Sequence, residues 1–243
     1  MNNMPLCKRV FPFRLASWLP ACYKSYLHWL RHLLERLGSD CTLSIWREVY
    51  RDYDDRFLLQ ILRTEWNLDA REERADKYLE ESIGALFSEF YPVSIDGVSR
   101  EDARQLIEAM PPIYHIKKTH PSLNVLKSIT AYEALHLKFD VPALLAETLI
   151  RLHGKQGELI VYDILREERI KLGGGKTRSL VQLISDFNGE PQEANLFTAG
   201  LKAEIVLASE REVVLNITEC EWARYFLERH PQVGYYWLVV RTR

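Results

Sequence analysis

One feature constrains the fold of this chain more than any other: a change of hydrophobic period near its end. Up to about residue 187 the apolar residues recur at steps of three and four, as on one face of a helix. From Leu201 they fall on alternate positions. Leu201, Ala203, Ile205 and Leu207 alternate with Lys202, Glu204 and Val206, the period of a half-buried strand. After the polar residues 209–212, Val213, Leu215 and Ile217 alternate with Val214, Asn216 and Thr218. Two such runs across a short polar loop predict an antiparallel hairpin. A helix is expected over residues 221–229 and a last strand over residues 235–240. The expected class is therefore α+β: predominantly helical N-terminal and middle regions, then a C-terminal antiparallel β-hairpin followed by a helix and a final strand.

The helical part divides at its turn signals. Residues 20–37 carry an apolar stripe of Tyr23, Tyr26, Leu27, Leu30, Leu33, Leu34 and Leu37, closed by Gly38. A second helix is expected over residues 43–66, through Trp46, Tyr50, Tyr53, Phe57, Ile61 and Leu62, and a third over 72–90, stopping before Pro92. Ser99 and Asp102 have the spacing of a capping box, and Pro111-Pro112 end the short helix that it opens. Further on, residues 123–139 read as one segment. Asp140 caps a helix with Pro142 in its first turn, and Gly154 closes it. Residues 157–172 make another helix, which Gly173-Gly174-Gly175 stop, and 180–187 a short one. This punctuation suggests a helical region over 1–92 and an α+β region over 93–243, or one continuous domain.

Charge and cysteine usage exclude several classes. With 32 basic and 34 acidic side chains the net charge is −2, so the surplus that neutralises nucleic-acid phosphates is missing. Lys117 and Lys118 lie near His115 and His120, a group read as a solvated loop in preference to a phosphate site. The four cysteines, Cys7, Cys22, Cys41 and Cys220, show neither a C-x-x-C pair nor zinc spacing; scattered thiols fit a reducing cytoplasm. Lys8 and Arg9 precede an apolar stretch, but Pro12, Arg14 and Pro20 interrupt it, so a signal-peptide core is poorly formed. No run of about eighteen apolar residues predicts a membrane span. The expected partner is a small-molecule substrate, with no nucleic acid, membrane, metal or cofactor; homo-oligomerisation through exposed strand edges stays open.

Cys220 is the most informative single residue. It stands where a strand gives way to a helix, and strand parity puts it on one face with Asn216 and Thr218. The partial positive charge of a helix N-terminus favours a nucleophilic thiolate. The competing reading is a small buried cysteine that fills a strand–helix joint. Arg224, one turn on, is a candidate for binding a substrate carboxylate, or for surface ion pairing. Glu133 and His136 share a helix face, as a general acid–base pair or a metal pair requires. Pairing of His136 with a neighbouring core carboxylate is the alternative, and Glu147, Glu158 and Asp163 lie on the following helices. Gly175-Lys176-Thr177 does not make a phosphate-binding loop, because its earlier glycine would fall at Ile170. Trp18, Trp29, Trp46 and Trp66 sit at helical spacing and are expected in the core.

Three segments carry a resemblance: Lys155-Gln156-Gly157-Glu158-Leu159-Ile160-Val161-Tyr162-Asp163, Asn195-Leu196-Phe197-Thr198-Ala199-Gly200-Leu201 and Thr218-Glu219-Cys220-Glu221-Trp222-Ala223-Arg224-Tyr225-Phe226. With them the chain resembles the L-2-amino-thiazoline-4-carboxylic acid hydrolase family, most strongly over residues 123–234. The resemblance implies water-driven opening of a cyclic amidine-like thiazoline ring, hydrolysis of the amidine C–N type, to give an N-carbamoyl amino acid. It implies a role for Cys220 as nucleophile or thiol orienter; by their positions on the same strand face, Asn216 and Thr218 are candidates for orienting substrate or water, and no cofactor is expected. A non-catalytic small-molecule sensor on the same strand–helix element, and a helical interaction protein with an aromatic front, are the other classes. The family continues beyond residue 234 with further strands and a second cysteine-containing stretch. Residues 235–243 depart from that pattern, which suggests a premature stop or frameshift.

Overall fold

The computed structural model describes residues 6–72, 99–116, 119–172, 196–209 and 213–240. The helices expected over 72–90 and 180–187, the glycine run 173–175, Lys117 and Lys118, and the 92/93 boundary lie outside the described residues, apart from Glu72 itself. The rest is an α+β protein, mostly helical, with two antiparallel two-stranded sheets. Helix α1 spans Leu15–Asp52, α2 Arg56–Trp66, α3 Arg100–Glu108, α4 Ala131–Leu172, α5 Leu196–Ala199, α6 Glu221–Arg229 and α7 Gly234–Val240. The strands are β1 Val10–Phe13, β2 Lys127–Thr130, β3 Leu201–Ala208 and β4 Val213–Cys220.

The stripe read from the sequence faces the interior of α1. Tyr26, Leu27, Leu30, Leu33 and Leu34 are buried, and so are Trp18, Trp29, Trp46 and Trp66, so the tryptophans are core residues. Gly38, with φ 74° and ψ 174°, ends the first helical stretch as expected, and a second stretch of α1 follows the kink and carries Leu43, Ile45, Trp46 and Val49 into the core. The second helix expected over 43–66 is in fact the end of α1 and the whole of α2, separated at residues 53–55. Asn67 closes α2 in the left-handed region, its N–H donating to the Arg63 carbonyl. The Ser99–Asp102 capping box is formed in both directions, at 3.0 and 3.3 Å.

Three expectations need correction. First, residues 10–13 form a strand. β1 pairs antiparallel with β2, Phe11 opposite Ile129 and Phe13 opposite Lys127. The helical reading of residues 1–92 does not hold there, and Pro12 is tolerated because a strand in a two-stranded sheet always has an open edge that needs no N–H. Second, the segments expected on either side of Asp140 are one helical stretch of α4, residues 131–153, preceded by a 3₁₀ turn at Pro121–Asn124 and by β2. Asp140 and Pro142 lie inside α4, since the buried residues Leu135, Phe139, Val141, Ala143, Leu145 and Ala146 carry its apolar face straight through them. Gly154, with φ 52° and ψ −127°, does close this stretch as expected, and a second helical stretch follows the kink to Leu172. Third, the final strand is helix α7. An apolar run as short as residues 235–240 has no period of its own to decide between helix and strand. Packing decides: Trp237 stacks on Phe226, with centroids 5.4 Å apart, and on Trp29 at 6.1 Å.

Helices α1 and α4 meet along a seam that is polar as well as apolar. Ser25 Oγ donates to Glu168 at 2.5 Å, His28 Nε2 lies 3.2 Å from the Ile164 carbonyl, and Arg36 pairs with Asp163 at 2.9 Å. The hairpin has the expected strands, with Leu201 opposite Cys220 and Ile205 opposite Leu215. No described helix is long and apolar enough to cross a membrane.

Candidate functional site

The junction of β4 with α6 is built by the sequence 218–226. Cys220 keeps an extended backbone (φ −143°, ψ 103°) as the N-cap, and its Sγ accepts the Ala223 N–H at 3.3 Å. The thiol thus does the work that Ser or Asp usually does at a helix start. It is half-buried and packed against the core. Gly200 lies beside it: the Glu221 N–H donates to the Gly200 carbonyl at 2.9 Å. A Cβ on Gly200 would stand 2.7 Å from Trp222 Nε1, so glycine is required there. Asn216 and Thr218 are exposed on the hairpin, and the Thr218 hydroxyl donates to the Lys202 carbonyl at 3.2 Å. Arg224 is engaged by Glu228 at 3.1 Å and Glu221 at 3.3 Å, and its guanidinium lies 4.8 Å over the Tyr132 ring. These ion pairs belong to the surface alternative for Arg224.

Glu133 and His136 share a helix but go to different partners. Glu133 Oε2 accepts the Thr130 N–H at 2.7 Å and the Thr130 hydroxyl at 2.9 Å, which closes a cap at the start of α4. His136 pairs one turn on instead, its Nδ1 3.0 Å from Asp140 Oδ2. That is the core-carboxylate pairing posed as the alternative. The imidazole is buried and boxed by aromatic rings: Phe57 at 4.4 Å, Tyr132 at 4.8 Å and Tyr225 at 5.1 Å between centroids. Phe57 is itself 39% exposed, so His136 lies one ring away from solvent.

Asp140 is the centre of the cluster. Its other oxygen, Oδ1, accepts the Tyr225 hydroxyl at 2.6 Å. His230 stands behind it, at the end of α6, with Nε2 3.9 Å from Asp140 Oδ1 and Nδ1 3.3 Å from Glu147 Oε2. Neither contact has hydrogen-bond geometry, so His230 is buried between two carboxylates and held by charge. Burial alone would raise the Asp140 carboxyl. The contacts with His136, His230 and Tyr225 outweigh it and hold the group at about 2. Burial pushes the Tyr225 phenol far above its usual range, and the Asp140 charge pushes the same way. Burial would lower His230, but Asp140 and Glu147 prevail and raise it.

Sequence reasoning named Cys220 and His136 but assigned Asp140 to a cap and left Tyr225 and His230 without a role. The i,i+4 spacing of His136 and Asp140 was the available signal. Glu147, Glu158 and Asp163 do not converge: they meet His230, Lys155 and Arg36. Among the described residues no group of His, Cys, Asp and Glu is arranged to hold a metal. His120 Nδ1 accepts the Ser122 N–H at 3.3 Å in a local turn, and His115 is buried.

Fold and cluster define the class: a mostly helical α+β protein in which α4 and the end-capped helix α6 bring a carboxylate, two imidazoles and a phenol together, with Phe57 of α2 at the edge. In comparisons with known proteins, no family model, no curated protein and no solved structure matches the chain.

Proposed function

We propose that the chain hydrolyses a small cyclic amidine-like acid of the thiazoline carboxylate type, with His136 as the general base and Asp140 as the group that positions it. One observation carries the reading: Asp140 receives His136 on one oxygen at 3.0 Å and Tyr225 on the other at 2.6 Å. A carboxylate on Nδ1 fixes the ring and leaves Nε2 to take a proton from water. The substrate class comes from the resemblance of residues 123–234 described above. Hydroxide adds to the amidine carbon across its C=N bond, and the proton taken by His136 passes to the ring nitrogen. As the tetrahedral carbon collapses its hydroxyl proton goes to the ring sulfur and the C–S bond breaks, so the amidine C=N is hydrolysed to a urea and the product is an N-carbamoyl amino acid with a free thiol.

A second reading gives the attack to Cys220, and it is favoured by the backbone N–H already aimed at Sγ. Incubation with 2-aminothiazoline-4-carboxylate and related cyclic amidine acids, followed by mass spectrometry and thiol release, separates the readings. The His136 route expects H136Q to lower kcat by about 100-fold or more, with C220S largely active. The thiol route expects the reverse. Thermal stabilisation by a panel member without turnover indicates the sensor class. The absence of both turnover and stabilisation across the panel would sink the proposal.

A further inference from the structure

Cys41 and His153 are brought together by the two helix breaks. Cys41 lies three residues after Gly38 in α1, and His153 immediately precedes Gly154 in α4. Both glycines are exposed, with open space where a side chain would stand. Between the two breaks Cys41 Sγ lies 3.7 Å from His153 Nε2, within hydrogen-bonding reach for sulfur, and both residues are only half-buried. None of the other thiols combines these features. Cys22 is buried in the core, Cys220 receives a backbone N–H, and Cys7 is simply exposed. All four cysteines are free, so Cys41 has no disulfide partner within the chain.

We propose that Cys41 and His153 form a second nucleophilic site, separate from the Asp140 cluster, that accepts a small-molecule disulfide. A thiol in contact with an imidazole from another helix is the nucleophile–base arrangement of covalent thiol chemistry. Half-burial limits the reagent to a small one. The Cys41 proton passes to His153 Nε2, and the sulfur attacks one sulfur of the disulfide. A new S–S bond forms on Cys41 as the old one breaks, and the departing thiolate takes the proton back from His153. Cys41 is oxidised and the released half of the reagent is reduced.

The test is mass-spectrometric mapping of the intact protein after a short exposure to limiting oxidised glutathione. Cys7 serves as the reference thiol and Cys22 reports unfolding. Labelling of Cys41 roughly ten-fold or more faster than Cys7, with the preference lost in H153Q, is the expected result. Cys7 labelled as fast as Cys41 overturns the proposal, and so does an unchanged Cys41 rate in H153Q while Cys22 stays unlabelled. Should Cys22 become labelled in H153Q, H153N and the wild-type order of reaction decide. Turnover of amidine acids is not involved, so this result stands apart from the fate of the hydrolase reading.

Discussion

At the scale of single residues, Asp140 and His230 set opposite ends of one pH window. The Asp140 carboxyl is depressed from its ordinary 3.8 to about 2. Its contribution to stability is therefore complete above about pH 4 and is lost as the pH falls towards 2. His230 is raised above its ordinary 6.5, so its contribution is complete below 6.5 and is lost as the pH rises through the folded value. Melting temperature measured against pH should be highest between about pH 4 and 6.5. D140N should remove the acid arm and H230Q the alkaline one. A flat alkaline limb in the unmodified protein would mean that His230 is neutral between its carboxylates. D140A leaves His136 and Tyr225 buried without their acceptor and should cost about 3–5 kcal/mol in a denaturant titration. Legibility at this scale was partial. His136 and Cys220 stand out by residue type, whereas Tyr225 meets Asp140 across 85 residues, a contact no local spacing encodes.

At the scale of elements, the hairpin and α6 were legible because each carries its own period or cap. β1 was not, since four residues with a central proline become a strand only when β2 is present to pair with them. α7 was not, since its helical form depends on Trp237 meeting Phe226 and Trp29. The hairpin itself is weakly anchored: Val206, Leu207, Val214 and Ile217 are all exposed, and two strands alone are marginal in water. Amides of Ile205 and Leu215, opposite one another, should exchange hydrogen orders of magnitude faster than those of Leu145 and Leu149, which are fully buried in α4. The joint below the hairpin is the opposite case. G200A places a methyl 2.7 Å from the Trp222 ring nitrogen and should destabilise the protein by about 1–3 kcal/mol, while T218A on the exposed face should be nearly neutral. Equal effects of the two substitutions would show that the α5–β3 turn does not pack against α6 in solution.

Across the whole molecule, one apolar core runs from Phe11 and Phe13 through α1 and α4 to Trp222, Phe226 and Trp237. The stack of Trp237 on Trp29 ties the last described helix to the first, with planes only 7° apart. Removing that ring should therefore be felt beyond α7. W237A is expected to cost about 3–5 kcal/mol, and L227A, whose side chain is 69% exposed, within about 0.5 kcal/mol of zero. The decisive readout is the Cys22 thiol on α1, fully buried and outside α7. If the core is one cooperative unit, W237A should accelerate Cys22 labelling by the same free energy that it removes from global stability, because the thiol reacts only when the whole unit opens. If α7 opens alone, stability seen at α7 falls while Cys22 labelling keeps its original rate. That second outcome would confine the consequence of the aromatic stack to the C-terminal helices and leave α1 with α4 as the independent folding core.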